Sequence, residues 1–238
     1  MVRQKTVPPS GDSLLISTLN LRRLVGILGI ALPFGLLLRT YFILKPSISE
    51  YYYTDGRDIL VGVMCAVGVF LCCYKGYDIR DKVLTLVAGF AAILVGLVPV
   101  ALESDPLPAQ IRGGLHLFFA AVFLGCLATL SLCQFTQTDA KTPNAMTPQK
   151  KSRNQVYRAC GWVMVLCLAA IVLYKFPPTK PWLAFLTPVN PVFCFESLAV
   201  IAFGLSWLVK GEGLLWDEGR DWWSGKFLTS PKKNHGKK

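Results

Sequence analysis

Long apolar runs separated by short polar stretches set the pattern of this 238-residue chain. A helix needs about 20 mostly apolar residues to cross a bilayer, and six blocks reach or approach that length. They run from Leu24 to Leu44, Asp58 to Tyr74, Val83 to Leu102, Gly113 to Phe135, Val156 to Phe176 and about Pro188 to Val209. The second is short, which local thinning of the bilayer accommodates. In lipid, such segments satisfy their backbone groups as helices. The pattern therefore predicts an all-α fold, a polytopic transmembrane helical bundle of about six spans. It divides the chain into a cytoplasmic N-terminal segment (1-23), a six-helix transmembrane domain (24-209) and a cytoplasmic basic C-terminal tail (210-238).

Composition agrees with this picture. Hydrophobic residues make up 53% and charged residues 16%, whereas soluble domains carry roughly 25% charged residues. Mean hydropathy is +0.46. The net charge of +11 adds orientation. With odd-numbered spans running outward, nineteen Lys and Arg side chains fall in cytoplasmic segments, five fall in outer ones, and Arg39 lies within a span. That asymmetry places both termini in the cytoplasm. The basic groups then act as topology signals and partners of anionic headgroups, and no nucleic-acid binding is expected. Membrane lipids are the expected partners, with a protein partner through the cytoplasmic loops or tail as a further one.

All eight cysteines lie in or at the edge of apolar segments, so no disulfide framework is expected. Cys72-Cys73, at a cytoplasmic span end, is a candidate for palmitoylation. No cleavable signal peptide is expected, since Pro8, Pro9, Gly11 and Asp12 interrupt the first 20 residues. These features fit a multi-pass protein of the cell membrane, the bacterial inner membrane in particular. The polar stretch Thr136 to Asn154 reads as a flexible cytoplasmic loop. The turn YKGYDIRDK, Tyr74 to Lys82, reads as a helical hairpin with Asp78 or Asp81 capping the next helix. Trp216, Trp222 and Trp223 read as interfacial aromatics.

Ionisable groups inside a bilayer are costly, so each needs a reason. Arg39 is placed about five residues from the outer end of the first span, and His116 about one turn inside the fourth. Glu196, eight residues past Pro188, is about 12 Å deep by helix rise. All three fall in the outer half of the membrane, beside an outer loop that holds Ser49, Tyr52 and Arg57. One reading makes this cluster a pocket for a headgroup or small polar ligand. The other makes it a staple, with Arg39 paired to Glu196 and His116 snorkelling to the headgroups. The Tyr51–Tyr53 triplet fits an aromatic belt.

No catalytic set, metal site or cofactor is expected. HExxH, GxSxG, P-loop and dinucleotide glycine motifs are missing, and His116 is the one embedded base for a serine or cysteine nucleophile. A non-enzymatic protein that binds or organises lipid or a partner at its outer face is the leading expectation. A small-solute transporter or permease subunit is the alternative, and a lipid-modifying enzyme comes third.

The stretch PSISEYYYTDGRDILVG, the YKGYD turn, the AGFAAILVGLVP span and the GGLHLFF opening of span four together resemble an uncharacterised family of bacterial six-span integral membrane proteins. The layout is also distantly DRAM-like, similar to eukaryotic six-span proteins tied to lysosomal and membrane-lipid processes. The resemblance covers roughly Leu24 to Val209. It implies a fold and no reaction, and it ranks Ser49, Tyr52, Arg57 and His116 above other polar residues without assigning them roles.

Overall fold

The computed structural model describes residues 11–74, 76, 78–102, 104–137, 148–176, 179–212 and 214–215, with the backbone alone for 11–17 and 180. Part of the YKGYD turn (Lys75 and Tyr77), loop residues 138–147 and the three tail tryptophans fall outside the described residues.

The described chain is helical throughout, with no strand among the described residues. In order, the helices are α1 (Gly11–Arg39), α2 (Arg57–Cys72), α3 (Ile79–Leu97), α4 (Leu107–Thr129), α5 (Pro148–Lys175), the single turn α6 (Lys180–Leu183) and α7 (Pro191–Lys210). A 3-10 segment, Ser49–Tyr53, precedes α2. A π segment, Leu130–Gln134, continues α4. Four helices are long and apolar enough to cross a membrane by length and composition: Thr18–Arg39, Leu107–Gln134, Pro148–Lys175 and Pro191–Lys210. Helix α2 has 16 residues, and α3 opens with Arg80, Asp81 and Lys82, which separates these two from that group.

Several ends differ from the sequence expectation, for local reasons. Helix α1 starts at Gly11, so the boundary at residue 23 falls inside it. It stops at Arg39, not Leu44, because Tyr41 and Phe42 take positive φ of 53° and 61°, a left-handed geometry that ends a helix. Helix α3 stops at Leu97, because a residue before proline avoids the helical region and Val98, before Pro99, is extended. Helix α5 begins at Pro148, so residues 148–154 are helical and not part of a flexible loop. Proline is well suited to a first turn, and the Gln and Lys residues after it are good helix formers. Asn190, with φ of 47°, and Pro191 at the first turn start α7. Asp78 caps α3, its carboxylate accepting from the Asp81 amide at 2.8 Å.

The six long helices form a closed ring in which α1, α2, α3, α4, α5 and α7 each pack on the next, and α7 returns to α1. Successive members run in opposite directions. One end of the ring gathers Arg22, Tyr74 and Lys210, which are hydrogen-bonded together. The other gathers Ser49, Val98 and His116. Two seams are close. A Cβ on Gly26 would sit 2.7 Å from the Gly204 carbonyl, and one on Gly89 would sit 2.6 Å from the Gly68 carbonyl. Small residues let helix backbones approach this closely. The core adds an edge-to-face chain of aromatic rings, with Trp207 against Tyr74 at 5.2 Å, Phe135 at 5.6 Å and Phe203 at 6.0 Å.

Candidate functional site

The loop from Thr40 to Gly56 closes one end of the ring, and partly buried polar bonds hold it there. Tyr51, fully buried, donates its hydroxyl to the Ile43 carbonyl at 2.9 Å. The Phe193 amide donates to the Pro46 carbonyl at 3.0 Å. The Ile48 amide donates to Glu196 Oε2 at 2.6 Å. Ser49 Oγ lies 2.8 Å from His116 Nε2, and His116 Nδ1 lies 2.7 Å from the Val98 carbonyl. A carbonyl can only accept, so Nδ1 carries the proton in the neutral ring and Nε2 accepts from the Ser49 hydroxyl. Tyr53 donates to the Val100 carbonyl at 2.7 Å. Burial pushes the hydroxyl pKa of Tyr51 upward, and burial with the nearby Asp105 charge does the same for Tyr53. Both therefore stay protonated donors at neutral pH.

Of the six residues singled out in the sequence, the structure brings Ser49, His116 and Glu196 into this latch. It ties the loop to α4, α7 and the segment after α3. His116 is buried, 2% exposed, with both nitrogens bonded, so it does not snorkel. Its helix begins at Leu107, nine residues before it, so it is not one turn from the helix end. Arg39 does not pair with Glu196. It is the last residue of α1 and lies 3.9 Å from Asp55, both half-exposed or more. Tyr52 and Arg57 form their own pair, with the guanidinium 2.9 Å from the phenol oxygen and 4.4 Å from the ring centroid. The cluster thus splits into a partly buried latch and an exposed rim.

A cavity of about 750 Å³ opens beside the latch. Pro46 and Glu50 of the loop, Tyr174 and Lys175 of α5, and Thr187 and Asn190 before α7 contribute to its wall. None of the six sequence-derived residues lines it. Glu196 and His116 instead hold Ile48 and Ser49, in the loop that gives Pro46 and Glu50 to the wall. Sequence reasoning passed over Tyr174, Thr187 and Asn190. The available signal was their position near prolines where α5 ends and α7 begins, but nothing in the one-dimensional pattern brings those ends together. Tyr174 and Thr187 hydroxyls meet at 3.2 Å.

The opposite end holds a second polar network that the sequence did not disclose. Arg22 and Arg23, expected outside the first span, are buried within α1. Arg23 donates to the Gly211 carbonyl at 2.8 Å and the Glu212 carbonyl at 3.3 Å. It thereby places its positive charge at the C-terminal end of α7, just past Lys210. Ser131 and Ser206 hydroxyls are linked at 3.0 Å between α4's π segment and α7.

All eight cysteines are free thiols. Among the described residues no group of His, Cys, Asp and Glu side chains is placed to hold a metal ion. Comparison with family models, curated proteins and solved structures finds no match.

Proposed function

We propose that this is a multi-pass membrane protein, crossing the bilayer six times with both ends cytoplasmic, that binds or organises lipid at its outer end without carrying out a reaction. The crossing of α3 is supported by its exposed face. Val83, Leu86, Val87, Phe90 and Leu97 form an exposed apolar row at helical spacing, the face a lipid-embedded helix presents. Arg80 and Lys82 in its first turn are exposed and reach the headgroups, while Asp81 between them is turned inward and buried. Helix α2 spans about 24 Å by helix rise and packs along α3. The charge asymmetry supports the orientation, and the bacterial inner membrane is the host membrane we propose.

The observation that carries the lipid-binding reading is the 750 Å³ cavity walled by Glu50 and Lys175 with Thr187 and Asn190 between helix ends. Opposite charges beside hydroxyl and amide groups suit a zwitterionic headgroup, and apolar helix faces alongside suit its chains. Native mass spectrometry of protein extracted with its lipids tests this. A retained phospholipid, lost from Lys175→Gln and Thr187→Val, is expected. Equal lipid retention in these variants and the wild type would remove the cavity from consideration.

One contact favours a second reading. The 2.8 Å Ser49–His116 bond is within the range of a nucleophile and its base. In that chemistry the Ser49 oxygen attacks an acyl carbonyl while His116 takes the hydroxyl proton and later returns it to the leaving group. A carbonyl, Val98, orients the ring in place of a carboxylate. Covalent labelling by a fluorophosphonate, abolished in Ser49→Ala, would favour acyl transfer. An unlabelled wild-type protein leaves the latch as purely structural.

A further inference from the structure

At the basic end of the ring a second cavity, about 280 Å³, lies between the first turns of α5, the π segment of α4 and the last turn of α7. Its charged lining is Arg22, Lys150, Arg153 and Lys210 against one carboxylate, Glu212. Asp81 interacts electrostatically with Lys210 without forming part of the wall. Among the described residues, the cations of the wall therefore outnumber the carboxylates even with Asp81 counted.

Three of these cations, Arg22, Arg153 and Lys210, are held in place. Arg22 is 7% exposed, its guanidinium fixed by the Tyr74 hydroxyl at 3.2 Å and the Lys210 carbonyl at 3.5 Å. Its Nε–H is buried with no hydrogen-bond acceptor among the described residues. Lys210 Nζ stands 4.9 Å from the Phe135 ring centroid. Arg153 lies 4.0 Å from Glu212, each under one-fifth exposed. A wall in which four cationic side chains converge favours an anion between them, and the buried Arg22 Nε–H, with no acceptor among the described residues, is costly to leave unbonded.

We propose that this cavity binds a phosphate group, presented by an anionic lipid headgroup or as a free anion. Guanidinium groups match phosphate oxygens in a two-pronged geometry, and lysines add point charge. The volume is at the lower end of ligand cavities, which run from about 300 Å³, so it suits a headgroup and not a whole lipid. On the proposed orientation the cavity faces the cytoplasmic leaflet, where anionic lipids concentrate.

Calorimetric titration of the full-length protein in dodecyl maltoside tests the site with three probes. These are dioctanoyl phosphatidic acid, inorganic phosphate and dioctanoyl phosphatidylcholine, whose choline cancels the phosphate charge. Saturable binding of phosphatidic acid alone identifies the lipid as source, and comparable binding of inorganic phosphate identifies the free anion. In either case Lys150→Gln and Arg153→Gln, both on the partly exposed first turns of α5, weaken binding by about tenfold. Glu212→Gln strengthens it, and added salt weakens it. The proposal is overturned if neither phosphatidic acid nor phosphate saturates, or if all three variants bind as the wild type does.

Discussion

Replacing His116 with alanine strands two groups, the Val98 carbonyl and the Ser49 hydroxyl, and leaves a cavity where the ring was. Each unsatisfied buried polar group costs about 1–3 kcal/mol, so His116→Ala is expected to lower stability by about 2–4 kcal/mol in detergent unfolding. Glu196 offers a sharper contrast. Glutamine keeps an oxygen for the Ile48 amide, so Glu196→Gln stays within about 1 kcal/mol of wild type, whereas Glu196→Ala loses about 2 kcal/mol. Equal losses in the two variants would mean that charge, not the amide bond, is what Glu196 supplies. The loop tyrosines bring a pH dependence. Tyr51 and Tyr53 have hydroxyl pKa values raised in the folded state. Their contribution is complete below the ordinary tyrosine value of about 10 and fades as pH rises through the folded value. Alkaline unfolding curves for Tyr51→Phe and Tyr53→Phe should therefore be flatter above pH of about 10 than that of the wild type.

Helix packing predicts opposite outcomes for one kind of substitution. Gly204→Ala places a methyl 2.6 Å from the Gly26 carbonyl, so α1 and α7 must move apart. Overpacking of this kind costs about 1–3 kcal/mol. Gly62→Ala meets nothing within 4 Å and should be neutral or slightly stabilising, because alanine is the better helix former. Thermal unfolding of the pair decides whether the α1–α7 seam is as tight as drawn. The helices themselves were legible in the sequence because apolar blocks of this length have few alternatives. Their ends were less so. Pro99 and Pro148 did announce a stop and a start, yet hydropathy extended the third block past one and began the fifth after the other. The left-handed turn at Tyr41 and Phe42 has no glycine or asparagine to mark it, so the end of α1 was hidden.

The molecule as a whole has two polar ends of different character, and only one was visible from sequence. Arg39, His116 and Glu196 stood out because each interrupts an apolar run. Their grouping at one end followed from helix direction, but their partners did not, since Ser49 to His116 and Ile48 to Glu196 join positions far apart in the chain. Arg22 and Arg23 sit at the edge of the first apolar block, where basic residues ordinarily mark topology, so nothing distinguished them as buried anchors. The assignment of ends to membrane sides rests on whether α2 and α3 cross. Lys82, exposed on the first turn of α3, and Lys175, exposed at the end of α5, answer that in the native chain. Sealed membrane vesicles of one orientation are treated with a membrane-impermeant amine reagent, and modified lysines are located by mass spectrometry. Six crossings predict that Lys175 reacts on one side while Lys82 and Lys151 react together on the other. Modification of Lys82 from the same side as Lys175 would leave α2 and α3 as a hairpin that does not cross, and would contradict the account.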